Sequence, residues 1–532
     1  MSATQVIPDT LLPLTTDDEQ RKAQKRLILS HYMVFRDQIT DFKAEYPDPP
    51  TNGEKFSMAE LQDKDMVVQR PLNKQSVVDY IKACIQLLDE QIAERLNDIL
   101  HDRQFQELEA SWRGLRNLVY NTETGTLLKL RLMDVTKKEL REDIEKATEF
   151  DQSALFKKIY EEEYGTFGGN PFTVLVGDYY FSRSNQDLSL LEGISHVAAA
   201  AHAPFLAAAS PDLFGLDSFR DLGGPRDLAK IFESMELIKW RSFRESDDSR
   251  YVTLTLPHVL LRLPYGRQNP LEGISFEEDF GVQTPTAVRH DKTPDDQEIT
   301  TLKNTYVPKA DYYLWGNAAY KLAERITHAF ALYHWCAAIR GVEGGGLVEN
   351  LPIHLFSTEA GDIAFQCPTE LAITDRRENE LSKLGFIALC HRKGDDKAAF
   401  FGGQTVNKAP VFFDDKANAN ANLSSMLPYM LAASRFAHYI KVIMRDKIGS
   451  FMTKENVANY LNNWISNYVL LNDDAPQSVK ASYPLREARV DVVDNPGKPG
   501  SYKATVFLRP HFQLDELTVS IRLVAELPPP AK

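Results

Sequence analysis

The sequence predicts a mixed α/β (α+β) chain of several units, and three observations predict it. Apolar side chains recur at three- and four-residue spacings over long stretches in both halves, as in helices with one buried side. Short apolar runs bounded by glycine or proline lie between them, as buried strands do. Residues 489–527 alternate apolar and polar side chains in strand period.

Residues 17–45 read as a charged helix with Leu27, Tyr32, Phe35, Ile39 and Phe42 on one side, and it breaks at Pro47, Pro49, Pro50 and Gly53. Cut off by that linker, it needs a partner or must dock back on its own chain. From Ser76 to His101 a helix places Val77, Ile81, Cys84, Leu88, Ile92, Leu96 and Ile99 together, and a second through Phe105, Leu108, Trp112, Leu115 and Val119 completes a helical hairpin. Leu128, Leu130 and Leu132 predict a strand, residues 136–150 a helix, and residues 172–176 a buried strand after Gly165, Gly168 and Gly169. The small residues of 198–209 suit a tightly packed helix, and Pro257 interrupts the apolar segment 251–263. Residues 277–297, rich in acids, read as an exposed loop. A strongly apolar helix is expected over 312–339, ending at Gly341.

A second domain is expected after Thr374. It opens with a charged helix at Asp375, continues through short strands at 386–390 and 398–401, and carries helices over 423–448 and 457–471. The expected division is 1–75 as helix and linker, 76–374 as a large α/β domain, and 375–532 as a C-terminal domain. That last domain closes with Val490 and Val492 in one strand, Val506 and Leu508 in the next after a turn at Asn495, Pro496, Gly497, Pro499 and Gly500, and Leu517, Val519, Ile521 and Leu523 in a third. One face is meant to be buried. A strand at a chain end can pair within its own sheet or be donated to another molecule, and the pattern fits both.

At 532 residues the chain exceeds one ordinary core, and 43 % hydrophobic content marks it as folded. Its formal charge of −14 disfavours nucleic acid and anionic membrane. Cys84, Cys336, Cys367 and Cys390 lie far apart and form no disulfide framework, which fits a reducing cytoplasm. Neither a cleaved signal nor a membrane span is expected.

The chemistry-bearing motifs are sparse. Gly341, Gly344, Gly345 and Gly346 resemble a phosphate loop, but such a loop needs a strand before it, a helix after it and a following Lys-Ser/Thr, none of which the pattern supplies. His328, His334, Cys336, Cys367, Cys390 and His391 lack metal-ligand spacing: six residues separate the first two on a helix, and Cys390 and His391 face opposite sides of a strand. Neither GxSxG nor HExxH occurs. The expectation is a non-enzyme without cofactor, metal or catalytic residue.

Ten blocks in order then resemble one family. They are residues 108–115 (LEASWRGL), 164–169 (YGTFGG), 177–179 (GDY), 314–318 (LWGNA), 336–346 (CAAIRGVEGGG), 367–377 (CPTELAITDRR), 400–404 (FFGGQ), 434–439 (SRFAHY), 447–450 (KIGS) and 510–513 (PHFQ). By them the chain is similar to the large subunit of the type VI secretion contractile sheath, TssC or VipB, from about residue 76 to the end; Asn170 and Tyr180 depart from the acidic residues expected there. The resemblance implies a structural protein that pairs with a small sheath subunit, TssB or VipA. It implies a helical tube of such pairs around an inner tube of Hcp, association with a baseplate, contraction that drives the inner tube out, and disassembly by a ClpV-type ATPase acting mainly on the small subunit. It also implies that protomers exchange strands near the C-terminus, which makes Val490, Val492, Val506, Leu508, Leu517, Val519, Ile521 and Leu523 the candidates for a shared sheet. Leu27, Phe35, Ile39 and Phe42 become candidates for small-subunit binding. The alternatives are the sheath of a related phage-like injection device, built from one sheath protein instead of two, and an enzyme using the Gly341–Gly346 loop.

Overall fold

The computed structural model describes residues 74–511 and 513, apart from 275, 293–297, 358–362, 448–449, 451–452, 473 and 495–501. The expected partner helix with Leu27, Phe35, Ile39 and Phe42 lies outside the described residues, as does the strand of Leu517, Val519, Ile521 and Leu523. The chain divides into two compact units, Met1–Leu96 with Gly273–Phe276, and Asn97–Glu272 with Glu277–Lys532.

Helix α1, Lys74–Leu100, belongs for most of its length to the first unit, and Ile85, Leu88 and Ile92 on it are exposed. The elements that follow belong to the second unit. Helix α2, Arg103–Tyr120, starts at Asp102, whose carboxylate accepts the Phe105 N–H. Helix α3, Lys137–Lys146, starts in a capping box: the Thr136 hydroxyl accepts the Glu139 N–H while the Glu139 carboxylate accepts the Thr136 N–H.

The centre is a six-stranded sheet in the order β1 (Leu175–Phe181), β2 (Phe205–Ala209), β3 (Val252–Leu256), β11 (Phe386–His391), β12 (Ala398–Phe400), β8 (Leu347–Val348). The first four strands are parallel and the last two join antiparallel, with Phe205 opposite Val252 and Phe386 opposite Leu254. Strand β4 (Val259–Leu260) pairs with β7 (Trp315–Gly316), β5 (Gly281–Lys292) with β6 (Glu298–Pro308), and β9 (His354–Ser357) with β10 (Ile363–Gln366).

Both faces of the central sheet are covered. Phe205, Ala207, Leu254 and Phe386 point into one core with helix α4 (Asn185–Ala201) and with Trp240 of helix α5 (Ile238–Glu245). Leu206, Ile387, Leu389 and Phe400 point into the other, with Leu322 and Ile326 of helix α6 (Ala319–Tyr333). Strands buried on both sides carry no alternation, and this is why β2 reads as a run of small residues. The expected helix over 198–209 is therefore corrected: α4 stops where His202 turns left-handed at φ 51°, and residues 205–209 are strand β2.

Three further expectations change. The apolar helix over 312–339 is shorter, because His334 caps α6 at φ 62° before Gly341 is reached. Most of the acidic stretch 277–297 is strand β5, paired with β6, instead of a loop, and within it before β5 a buried Glu278 takes a two-pronged hydrogen bond from Arg262 at 2.6 and 3.1 Å. Leu128, Leu130 and Leu132 belong to no strand; they run without a ladder partner among the described residues, and Leu132 is exposed.

Helix α7 (Asp375–Lys383) leads into β11, so the expected boundary after Thr374 falls inside one continuous sheet. Parallel strands are joined through long crossovers, and sequence distance says little about which sheet a strand enters. Beyond the sheet come helices α8 (Asp415–Ser424), α9 (Leu427–Asp446), α10 (Lys454–Ser466) and α11 (Gln477–Ser482), and then the hairpin of β13 (Leu485–Asp494) and β14 (Tyr502–Pro510).

Candidate assembly interface

The C-terminal hairpin is the element that sequence singled out, and α10 positions it. Thr453 caps α10 by accepting the Asn456 N–H, and Val457, Leu461 and Ile465 fall at four-residue spacing on its buried side. Against them the hairpin sets Val490 and Val492 of β13 and Val506 and Leu508 of β14, with Val490 opposite Val506 and Val492 opposite Ala504. Trp335 and Phe436 stack at 4.5 Å in the same core. The outer face carries Glu487 opposite Arg509 and Arg489 beside Asp491, with Val493 and Phe507 exposed among them. Alternation thus gives one face to the chain's own core and leaves a polar face with two apolar side chains.

The four predicted residues in the described part come together, and their side chains point inward at α10. Pairing with a further strand would run through the backbone edges, and the two edges differ. Asn462 of α10 lies along β13: its Oδ1 accepts the Val490 N–H at 2.9 Å and its Nδ2 donates to the Val490 carbonyl at 2.8 Å. Val490 therefore turns its backbone groups away from β14, and the middle of that edge is filled by a side chain. The outer edge of β14 pairs with no strand among the described residues. An open edge of this kind is a template for an added strand.

The chain leaves β14 along a fixed path. His511 N–H donates to the Pro484 carbonyl at 3.1 Å, Gln513 N–H donates to the Tyr429 hydroxyl at 3.1 Å, and Gln513 Nε2 donates to the Ala337 carbonyl at 3.0 Å. Sequence reasoning missed Asn462 and Gln513. An asparagine inside a helix is a poor helix former, which is the one signal that could have marked Asn462.

Of the other candidate residues the structure brings Cys367 and His391 together in a hydrogen bond, and neither the glycine loop nor the remaining Cys and His form a ligand set among the described residues. In the glycine loop the Gly341 N–H donates to the Phe400 carbonyl and the Gly346 N–H to the Gly341 carbonyl, so these donors are engaged by backbone. Gly344, Gly345 and Gly346 lie so near backbone atoms of Arg340, Ala338 and Phe400 that an added Cβ would come within 2.6 Å of them. Glycine serves close packing here, and Gly341 takes the left-handed backbone at φ 73°. Among the described residues no three His, Cys, Asp or Glu side chains gather to hold a metal ion. Burial pushes the Cys336 and Cys390 thiols up to about 12, which opposes the thiolate form a metal requires. No helix among the described residues is long and apolar enough to cross a membrane.

A doubly covered sheet is followed by a helix-braced hairpin whose outer edge pairs with no strand among the described residues, and two family models place the chain in the contractile tail-sheath class, a class of structural assembly proteins. Residues 82–407 match the tail sheath N-terminal domain and residues 416–527 the tail sheath gpW/gp25-like domain of the EvpB/VC_A0108 (VipB) family. The chain belongs to that tail-sheath family. It is 46 % identical over 467 residues to the type VI secretion system sheath protein TssC1 of Pseudomonas aeruginosa, covering 86 % of this chain and 88 % of that protein. Solved structures that align with it include the contracted sheath of the PVC extracellular contractile injection system, at 7 % identity and TM-score 0.32 over 63 % of this chain and 68 % of that one. Another is a chain of the anti-feeding prophage baseplate, at 10 % identity and TM-score 0.35 over 75 % of this chain and 83 % of that one. The chain is a structural large subunit of a contractile sheath.

Proposed function

We propose that this chain works in the cytoplasm as the large sheath subunit of a type VI secretion system, without catalysis of its own. It pairs with a small sheath subunit of the TssB or VipA kind, polymerises around an Hcp inner tube on a baseplate, and is released after contraction by a ClpV-type ATPase that acts mainly on the small subunit. Residues 1–75 reach the small subunit through Leu27, Phe35, Ile39 and Phe42. The sheath body has two parts, residues 82–407 and 416–527, as the two family models divide it.

The observation that carries this reading is the asymmetric hairpin in a chain of the tail-sheath family: one edge occupied by Asn462, the edge of β14 without a partner strand among the described residues. A strand donated head-to-tail to such an edge is a heterologous contact that does not close, and contacts of that kind build helical filaments. Backbone hydrogen bonds then tether neighbours while each body stays free to turn. The Leu517, Val519, Ile521 and Leu523 strand is the donated or receiving partner.

Electron microscopy of the chain expressed alone and with its small subunit tests the reading. Hollow tubes only on coexpression are expected; tubes from this chain alone point to a single-protein injection device, and no tubes in either sample overturn the proposal. Deleting residues 1–50 should reduce copurification of the small subunit.

A further inference from the structure

Two exposed features of the second unit are complementary in both charge and polarity. The first is a protrusion before α8. Val411 is 87 % exposed, Phe412 is half exposed and Phe413 is fully exposed, and Asp414 and Asp415 follow, also exposed. The protrusion is held in shape: the Phe412 N–H donates to Asn418 Oδ1 at 2.6 Å, Asn418 Nδ2 donates back to the Phe412 carbonyl at 2.9 Å, and Asp414 accepts the Lys416 N–H at the start of α8. A turn fixed in this way loses little freedom on binding. Three consecutive uncovered apolar side chains are unusual on a surface that meets only water.

The second is a cavity of about 230 Å³ beside α2. Ligand pockets run from roughly 300 to 1,000 Å³, so this one suits a side chain better than a small molecule. Arg113, Arg116 and Lys321 line it together with three asparagines, and no acidic residue does. Glu109 and Glu324, which pair with Arg113 and Lys321, lie outside the lining. Arg116 lies over the Tyr120 ring at 4.8 Å and pairs with no carboxylate among the described residues. On the same helix Leu108 and Trp112, one turn apart, are 56 % and 62 % exposed. Exposed Trp and Arg side by side are the residue types that anchor interfaces.

We propose that residues 411–415 of one copy of this chain dock on the α2 cavity of the next copy, Phe413 against Trp112 and Asp415 toward Arg116. Charge selects the occupant. With Arg113 and Lys321 paired to Glu109 and Glu324, Arg116 is the lining cation without a carboxylate among the described residues, and Asp415, exposed beside Phe413 on a second copy, supplies one. Because the two patches belong to separate parts of one chain, the contact can repeat head-to-tail along a polymer, and a ladder beyond the covalent dimer distinguishes that from a reciprocal two-fold pair, which would stop at the dimer. The inference rests on the sheath reading for its setting and adds to it a contact that uses no shared strand.

The test uses the full chain coexpressed with its small subunit. The double variant Phe413→Cys, Trp112→Cys, oxidised with copper phenanthroline, should give a ladder of covalent trimers and larger species; each single variant should give none. A double variant that stays monomeric while the unaltered protein forms tubes overturns the contact. If the unaltered protein forms no tubes, the sheath reading fails, and the same oxidation on concentrated soluble chain decides the contact by presence or absence of the ladder. In parallel, Arg116→Glu and Asp415→Arg should each lower pelleted polymer by about tenfold, an effect of ~1.4 kcal/mol, and together restore it. Wild-type polymer yield from both single variants overturns the proposal, as does loss of the small subunit from Arg116→Glu, which would place that subunit in the cavity.

Discussion

Asn462 of α10 grips Val490 of β13 at both backbone groups, accepting its N–H at 2.9 Å and donating to its carbonyl at 2.8 Å. One side chain thereby stands in for the strand that would otherwise occupy that edge. It also fixes the register of the hairpin on the helix.

Replacing Asn462 by Leu leaves the amide and carbonyl of a buried strand residue without partners. The cost should be about 1–3 kcal/mol, the price of an unmade buried hydrogen bond. Thermal denaturation should show the loss, and hydrogen exchange should place it at Val490. Unchanged protection at that amide would mean that a water replaces the side chain at no penalty.

Val490 and Val519 should respond differently to the same change. Val490 is 2 % exposed and packs on its own α10, so Val490→Asp should abolish soluble expression. The double variant Val519→Asp, Ile521→Asp should keep the heterodimer soluble and abolish tubes if that strand pairs between protomers. Tubes of normal length would exclude the shared strand, and an insoluble chain would place the strand inside its own sheet.

Gly114 of α2 marks where that helix crosses α6: a Cβ built there would lie 2.5 Å from the Tyr320 ring. Gly114→Val should destabilise the chain by about 1–3 kcal/mol through overpacking. Pairing it with Tyr320→Ala should recover part of the loss in chemical denaturation. An additive double variant would refute the crossing as the cause.

His202 and His438 give the fold a defined acid limit. Burial holds His438 down at about 3, against the Ala201 carbonyl that its Nε2 contacts at 2.9 Å and with the positive charges of Arg435 and Lys441 nearby. Burial, helped by Lys441, holds His202 down at about 4. The unfolded chain binds these protons near pH 6.5 and the folded chain does not, so stability is complete above that pH and is lost as pH falls toward 4. At pH 5 His438 alone should account for about 2 kcal/mol. Melting temperature measured at pH 7.5 and pH 5 should fall between the two in the wild type and fall less in His438→Gln; equal slopes would refute the assignment.

Legibility in the sequence followed burial geometry. The hairpin was legible because one of its faces is covered and the other wet, so that Val490, Val492, Val506 and Leu508 alternate with mostly polar neighbours such as Arg489, Asp491, Thr505 and Arg509. The start of α3 was legible through Thr136, and α7 through Asp375. Strand β2 was not, because a strand covered on both sides has the same run of small apolar residues as a buried helix. Nor were β5 and β6, whose acidic and polar stretch carries loop composition; their pairing is a relation between two segments that neither one encodes alone.

The sequence by itself determined the class of fold, the terminal hairpin and its inward face, and the family, since each depends on residue types at fixed spacings along the chain. The tertiary structure alone decided that β11 joins β3 across the expected domain boundary, that Asn462 fills one edge of the hairpin while the outer edge of β14 pairs with no strand among the described residues, and that Arg113, Arg116 and Lys321 line one cavity. Those facts depend on distances between residues far apart in sequence, which packing fixes and local pattern does not.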